Sequence, residues 1–527
     1  MRTIKILSVA IGAALLSACG DSSGLLDYNG STLPSPNITA LSIEGEPIGG
    51  NTLIAQVDCI GCETSKYTYE WFVDGLPQGN SSTYIFRPED LGKTIKLNVS
   101  GENEFAKKDN ASVEYVNVIP TDIYAIQGGF AALMSDGTIV PWGFSDHMVG
   151  CNSEEFTNSG TKAIYNVDLA FVVDKGNNQI VTCGAPNFGG DSSSVDLSAG
   201  IKEVHPVQGV IVAIMNDNSV RTWGDGLYSG SLADISAVDF SSGVRKIFSS
   251  VFGGIVIAEK INGDTVAWGE FDSSGVDFSS GVKFAEIAHS AATAVMNDGR
   301  VISWGNASLG GDSSGVDFSA GVQSILTNQS GGAFVTLMND GGIKAWGRDD
   351  RGGNVDGIDF SAGVKELHHI YDSFIALMKD DSVRIWGYDY SVDSIDFSPG
   401  VASIYSSSGA FLALMKDGSI RNWGIAPYGG GDSSGIDVSA GIKNIYPSDV
   451  GFVIVLNDGT VQVLSEELGD ISNIDFSAGI KEIYEASVAY TALMNDGSTR
   501  IWGHPLVIND TGDSVELSFL KQTSSTL

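Results

Sequence analysis

Two pentapeptides carry the spacing of a nucleophilic serine: Gly311-Asp312-Ser313-Ser314-Gly315 and Gly431-Asp432-Ser433-Ser434-Gly435. In a Gly-x-Ser-x-Gly elbow the serine sits on a sharp strand-to-helix turn and loses its proton to a histidine. Here the pattern recurs in degraded form, as Gly190-Asp191-Ser192-Ser193-Ser194, at the same point of a longer repeat. The six histidines (147, 205, 289, 368, 369, 504) fall at unrelated repeat positions. A nucleophile needs a base within reach, so these segments read as loops, and no catalytic residue is expected.

Carboxylates are the second chemistry. Asp196, Asp239, Asp277, Asp317, Asp359, Asp396, Asp437 and Asp475 each stand one residue before the apolar residue of the same short segment. Repetition places them in a ring, where like charges repel unless each is solvated, hydrogen-bonded or neutralised. The preferred reading is that each accepts backbone N–H bonds in its own turn. The functional alternative is calcium, with Asp312 and Asp317, or Asp432 and Asp437, as oxygen ligands within one loop. No dedicated calcium-loop spacing accompanies them, and no other cofactor is expected.

These residues are positioned by a repeat. Tryptophans stand at 142, 223, 268, 304, 346, 386, 423 and 502, with Cys183 and Leu464 in two vacant slots, so nine intervals cover 360 residues at 40 per repeat. Eight of the nine tryptophans share this slot, which secures a repeat architecture. In the copy from Gly400, Val401–Tyr405 and Ala410–Met415 read as strands, and Lys416-Asp417-Gly418 as a hairpin turn. Ser419–Gly424 reads as a third strand, and Gly435–Ser439 as a short fourth. Three to four strands per repeat without helical periodicity predict propeller blades, about ten of them. The first copy lacks a preceding Val-Asp-Phe-Ser segment, and Asp513–Ser518 ends the last copy with one. The two ends are therefore expected to complete one blade jointly and close the ring.

Phe411-Leu412-Ala413-Leu414-Met415-Lys416-Asp417-Gly418-Ser419-Ile420-Arg421-Asn422-Trp423-Gly424 resembles the repeat of the regulator-of-chromosome-condensation family, as does Ala294–Gly305. The resemblance covers residues 121 to 518. Its eukaryotic members are nucleotide-exchange factors on chromatin. The acidic balance here, 64 Asp+Glu against 29 Lys+Arg for a net charge of −35, excludes a nucleic-acid footprint. The period and the Ser-Ala-Gly-Val linker are similar to the secreted bacterial branch, which includes a propeller inhibitor of β-lactamase with fewer repeats.

The N-terminus implies export. Arg2 and Lys5 precede an apolar run, Ile6 to Leu16, that is too short to span a bilayer and reads as a leader. Leu16-Ser17-Ala18-Cys19 resembles the lipobox of bacterial lipoproteins, which implies cleavage before Cys19 and its acylation. Gly20 at the next position implies an outer-membrane address, periplasmic or surface-exposed. Cys59-Ile60-Gly61-Cys62 reads as a local disulfide, since no second pair completes a metal site. The run Tyr69–Gly75, with Tyr84 and Asp90-Leu91-Gly92-Lys93, resembles bacterial immunoglobulin-like modules, which implies a spacer with Trp71 in its core.

The expected plan is all-β. It comprises a leader (1–18), an acylated cysteine and tether (19–36), an immunoglobulin-like sandwich (37–119), a propeller (120–518) and a tail (519–527). The expected role is a non-catalytic, lipid-anchored envelope protein that binds or scaffolds a protein or glycan. The alternative is inhibition of a secreted or periplasmic enzyme, which calls for aromatic and arginine hot spots on one face. Tyr228, Arg348, Arg351, Tyr388, Tyr390 and Tyr428 follow the Trp-Gly slot and vary between repeats, as do Phe144 and Phe188. They are the candidate binding-face residues.

Overall fold

A computed structural model describes residues 34–526, apart from 64–65, 226–229, 329–331, 389–394, 466 and 504–516. The expected leader, Cys19 and the tether up to residue 33 lie outside the described residues.

Ala410–Met415 is apolar at every position because it is the middle strand of a three-stranded antiparallel sheet buried on both faces. Phe411, Ala413 and Met415 pack toward the preceding blade, and Ala410 and Leu412 toward the following one. The outer strand places Trp423 directly opposite Phe411. Between the two strands, Ser419 N–H donates to the Asp417 carboxylate over 2.9 Å, and Gly418 takes φ +85°. The Asp-Gly pair thus sets the hairpin.

Such sheets occupy 120–143, 163–184, 201–223, 244–269, 282–305, 322–347, 364–387, 401–424, 442–464 and 480–503. Every boundary between neighbours holds its own apolar cluster. A further cluster joins the last blade to the first, packing Ala486, Ala489 and Ile501 with Ile123, Phe130 and Trp142. The inner strands Pro120–Ile126 and Ile480–Glu485 also touch. The molecule is a closed β-propeller of ten blades.

The expected fourth strand is absent. Around Gly435–Ser439 the backbone turns instead: Ser439 N–H donates to Asp437 and Gly441 N–H to the Val438 carbonyl. The segment contributes side chains rather than ladder bonds. Phe318 meets the Trp346 ring edge-on at 5.5 Å, and Phe240, Phe278, Phe360, Phe397 and Phe476 do the same in their blades.

Blade 1 receives this side chain from the far end of the chain. Leu517, 1% exposed, lies in the cluster with Trp142, so the far end of the chain packs a side chain into blade 1; residues 513–516 of the expected completing segment lie outside the described residues. Ser518 then donates to the Pro47 carbonyl and accepts from Asn117 Nδ2 at 2.9 Å. Phe519–Thr526, read from sequence as part of a tail, is a strand paired antiparallel with Lys108–Val118. Its Ser/Thr-rich sequence has no apolar alternation. What holds it is a backbone ladder about 400 residues away in sequence.

That strand edges a five-stranded sheet, which with a three-stranded one encloses Trp71, Phe86, Ile95, Leu97 and Val113. Cys59 and Cys62 are disulfide-bonded at the end of the second strand. The sandwich also touches the last blade, where Gly49 N–H donates to the Asp496 carbonyl at 2.9 Å.

Leu517→Ala is expected to cost about 2–5 kcal/mol, the range for a buried leucine truncated to alanine. Removing 519–527 should lower the sandwich's stability without abolishing the blades. Urea unfolding followed by tryptophan fluorescence checks both.

Candidate functional site

Each blade has an inner turn, between its first and second strands, and a loop that follows Trp-Gly. The two are stitched together. In most blades the N–H after Trp-Gly donates to an inner-turn carbonyl, as Phe144 to Gly128 at 2.8 Å, Arg348 to Gly332 at 2.7 Å, Tyr388 to Asp372 at 3.0 Å and Ile425 to Gly409 at 2.9 Å; Asp225 N–H goes instead to the Asn187 carbonyl of the preceding loop at 2.7 Å. This approach explains the glycine of the pair. Gly424 has φ +122°, and a Cβ there would lie 2.5 Å from the Gly409 carbonyl oxygen. Inner turns and Trp-Gly loops therefore form one face, here the loop face. The Asp-Gly hairpins and the linkers lie at the other end of the strands.

Among the candidate binding residues, Phe144, Phe188, Arg348, Arg351, Tyr388 and Tyr428 all stand in the loops of this face. Tyr228 and Tyr390 lie outside the described residues. The arginines are not free cations. Arg348 grips Asp350 through Nε at 3.0 Å and Nη2 at 2.6 Å, and Arg351 pairs with Asp372 of the neighbouring inner turn.

The inner turns add residues that the sequence reading did not select. Asp449, Ser408, Ser487 and Tyr371, from four blades, line one cleft, and Asp168 and Glu485 interact electrostatically with Asp449. Asp449 accepts from Ser408 Oγ at 3.1 Å and Ser487 Oγ at 2.6 Å. Glu485 is pushed up to about 7, first by burial and then by Asp449. Burial also raises Asp168, with His147 opposing and Asp449 adding. Asp168 and Ser487 take left-handed φ of 39° and 60°, as tight hairpin turns demand. The available signal was position: Asp168, Tyr371, Ser408, Asp449 and Ser487 each stand two residues before a middle strand, at one point of the repeat, and Glu485 ends the inner strand just before Ser487.

The carboxylate ring is resolved into separate turns. All eight aspartates accept the N–H of the serine two residues on, at 2.9 to 3.0 Å. Asp312 and Asp432 do the same for Ser314 and Ser434. These bonds hold the carboxyls below their ordinary range. Among the described residues, no three His, Cys, Asp or Glu side chains are grouped to hold a metal ion.

The serine loops are structural in the same way. Ser303 Oγ donates to Ser313 Oγ at 2.9 Å and is itself bonded to Thr293 at 2.8 Å, a hydroxyl chain tying the loop to its sheet. Two histidines, read as unrelated, share one register of the inner strand. His205 faces Glu203 and His368 faces Glu366, each at 3.4 Å, because residues two apart lie on the same face of a strand. Cys183 occupies the tryptophan slot as expected and is disulfide-bonded to Cys151, a pairing the spacing did not reveal.

No family model matches the chain, and no curated protein matches its sequence. Solved structures similar to it include the ectodomain of the receptor kinase CR4 from Physcomitrella patens, at 11% identity and a TM-score of 0.30 over 57% of this chain and 72% of that chain. The computationally designed Ika8 protein shares 15% identity at a TM-score of 0.27, over 73% and 96% of the two chains. Prp20p from Saccharomyces cerevisiae shares 14% at 0.24, over 57% and 80%. At such identities and scores, blade number and function rest on this chain's own residues.

Two outcomes test the electrostatics. Chelator is expected to leave the thermal midpoint unchanged. Glu485 and Glu286 are both raised to about 7, mainly by burial, so between about 4.5 and 7 the folded state binds more protons than the unfolded one. Stability should therefore rise as pH falls through that window, and Glu286→Gln with Glu485→Gln should flatten the slope. The lowered aspartates act in the opposite sense at lower pH, below their ordinary range, so calorimetry across pH separates the two groups.

Proposed function

We propose that the chain is a non-catalytic, lipid-anchored protein of the cell envelope that binds or scaffolds a protein or glycan partner through the loop face. The observation that supports this best is a division of labour within the repeat. Blade interiors are built from the same few residue types in every copy, while variable side chains stand in the loops stitched onto one face. Variation confined to loops on a rigid scaffold is how binding surfaces are made.

In this reading Cys19 carries the lipid. The N-terminal sandwich, immunoglobulin-like by its sequence, is the spacer, and the outer membrane is the address. Enzyme inhibition is less well supported, because Arg348 and Arg351 are already paired within the chain and are poor candidates for hot spots.

Cys19→Ala should abolish palmitate labelling and release the chain from the membrane fraction. Cross-linking on intact cells should yield partner adducts that Tyr388→Ala and Tyr428→Ala reduce. Asp458→Asn, at an Asp-Gly hairpin on the opposite face, should leave them. Equal loss from all three variants, or an unlabelled wild-type chain, overturns the reading.

A further inference from the structure

On the loop face, a cleft of ≈ 370 Å³ opens between blades 7 and 10, lined by Tyr371, Ser408, Ile425, Tyr428, Asp449 and Ser487. We propose that it receives a guanidinium group, the side chain of an arginine on a protein partner. This deepens the reading of the loop face as the interaction face and rests on it.

Asp449 takes the hydroxyl protons of both Ser408 and Ser487, and Ser408 N–H is spent on the Asp449 carbonyl at 3.2 Å. The polar wall at Asp449 is left with lone pairs: those of the carboxylate and of the two serine oxygens. A sugar hydroxyl seeks donors as well as acceptors and is half matched here. A guanidinium is donor-only, and its planar fork fits a carboxylate.

Charge points the same way. Among the described residues no Lys, Arg or His pairs with Asp449 within salt-bridge distance. Glu485 lies beside it, and the whole chain carries −35. Arg351 of the loop face is held by Asp372. A cation entering the cleft therefore meets an unneutralised carboxylate.

The remaining walls suit the flat faces of the group. Tyr371 is 49% exposed at the rim. Tyr428 packs against Gly409, where an added Cβ would come within 2.8 Å of the ring. Its lower side packs on the blade clusters, so the ring is fixed before any ligand arrives. Guanidinium groups stack on such rings.

The test uses the full-length protein in detergent with ring-13C tyrosine, titrated with N-acetylarginine amide and with its neutral isostere N-acetylcitrulline amide. The arginine probe should shift the Tyr371 and Tyr428 resonances, assigned from Tyr→Phe variants, and the citrulline probe should not. Asp449→Asn should weaken the arginine probe about tenfold, as for loss of one charge-assisted bond. Asp458→Asn removes the same charge from the far end of blade 9 and should have no effect. Tyr428→Leu provides a second weakening that does not depend on charge, and thermal melts confirm that each variant is folded. Equal weakening by Asp458→Asn, equal binding of citrulline, a shift by glucose in place of arginine, or no shift at all overturns the proposal. If the probe fails while Tyr428→Ala still loses its cellular adduct, the guanidinium assignment alone falls. If both fail, the loop-face reading falls with it.

Discussion

One contact organises this molecule: the indole at the end of the outer strand in eight of the ten blades. Trp346 stacks on Phe334 of its own middle strand at 5.7 Å and takes Phe318 of the linker edge-on. Its Nε1–H donates to the Gly310 carbonyl in the loop of the preceding blade at 2.9 Å. Trp223, Trp268 and Trp386 make the equivalent bond backward. A blade is thus incomplete alone: a linker residue covers its indole and, in these four blades, a neighbour's carbonyl takes the indole N–H, whereas the buried Nε1 atoms of Trp142, Trp304, Trp423 and Trp502 find no such partner among the described residues. Stability in such an array resides in the interfaces, and a closed ring leaves none of them open.

Closure has a consequence at the chain ends. Every blade but the first follows a linker that can bring an apolar residue, so blade 1 depends on Leu517 from the other end of the chain. Having delivered it, the chain continues into the N-terminal sandwich as an edge strand. Sandwich and propeller are thereby joined twice, by the direct connection after Val118 and by this return.

The two faces of the ring do different work. At the hairpin end, aspartates are consumed by their own turns. There, too, the inner strands open with a β-bulge whose extra residue is basic in several blades, as at Lys202, Arg245, Lys283, Lys365, Lys443 and Lys481. The acidic ring is therefore interleaved with cations and offers no concentrated field. On the loop face, turns from different blades converge, and carboxylates such as Asp168 and Glu485 are close enough to perturb or be perturbed by Asp449. Local charge compensation governs one end and charge convergence the other.

The sequence by itself determined the period, the blade body and the loops available for variation. A 40-residue repeat imposes one environment on each slot, so Phe411, Trp423 and Asp417 could be assigned from their copies. It also determined that the recurrent aspartates sit in turns, because an Asx turn is a two-residue affair. Only the tertiary structure decided what distance in sequence conceals. The Cys151–Cys183 bond, the Leu517 plug and the strand Phe519–Thr526 join residues whose local patterns carry no sign of a partner. The same holds for the cleft at Asp449. Its walls come from four blades, each ordinary in its own repeat, and they acquire a shared chemistry when ring curvature brings their turns together.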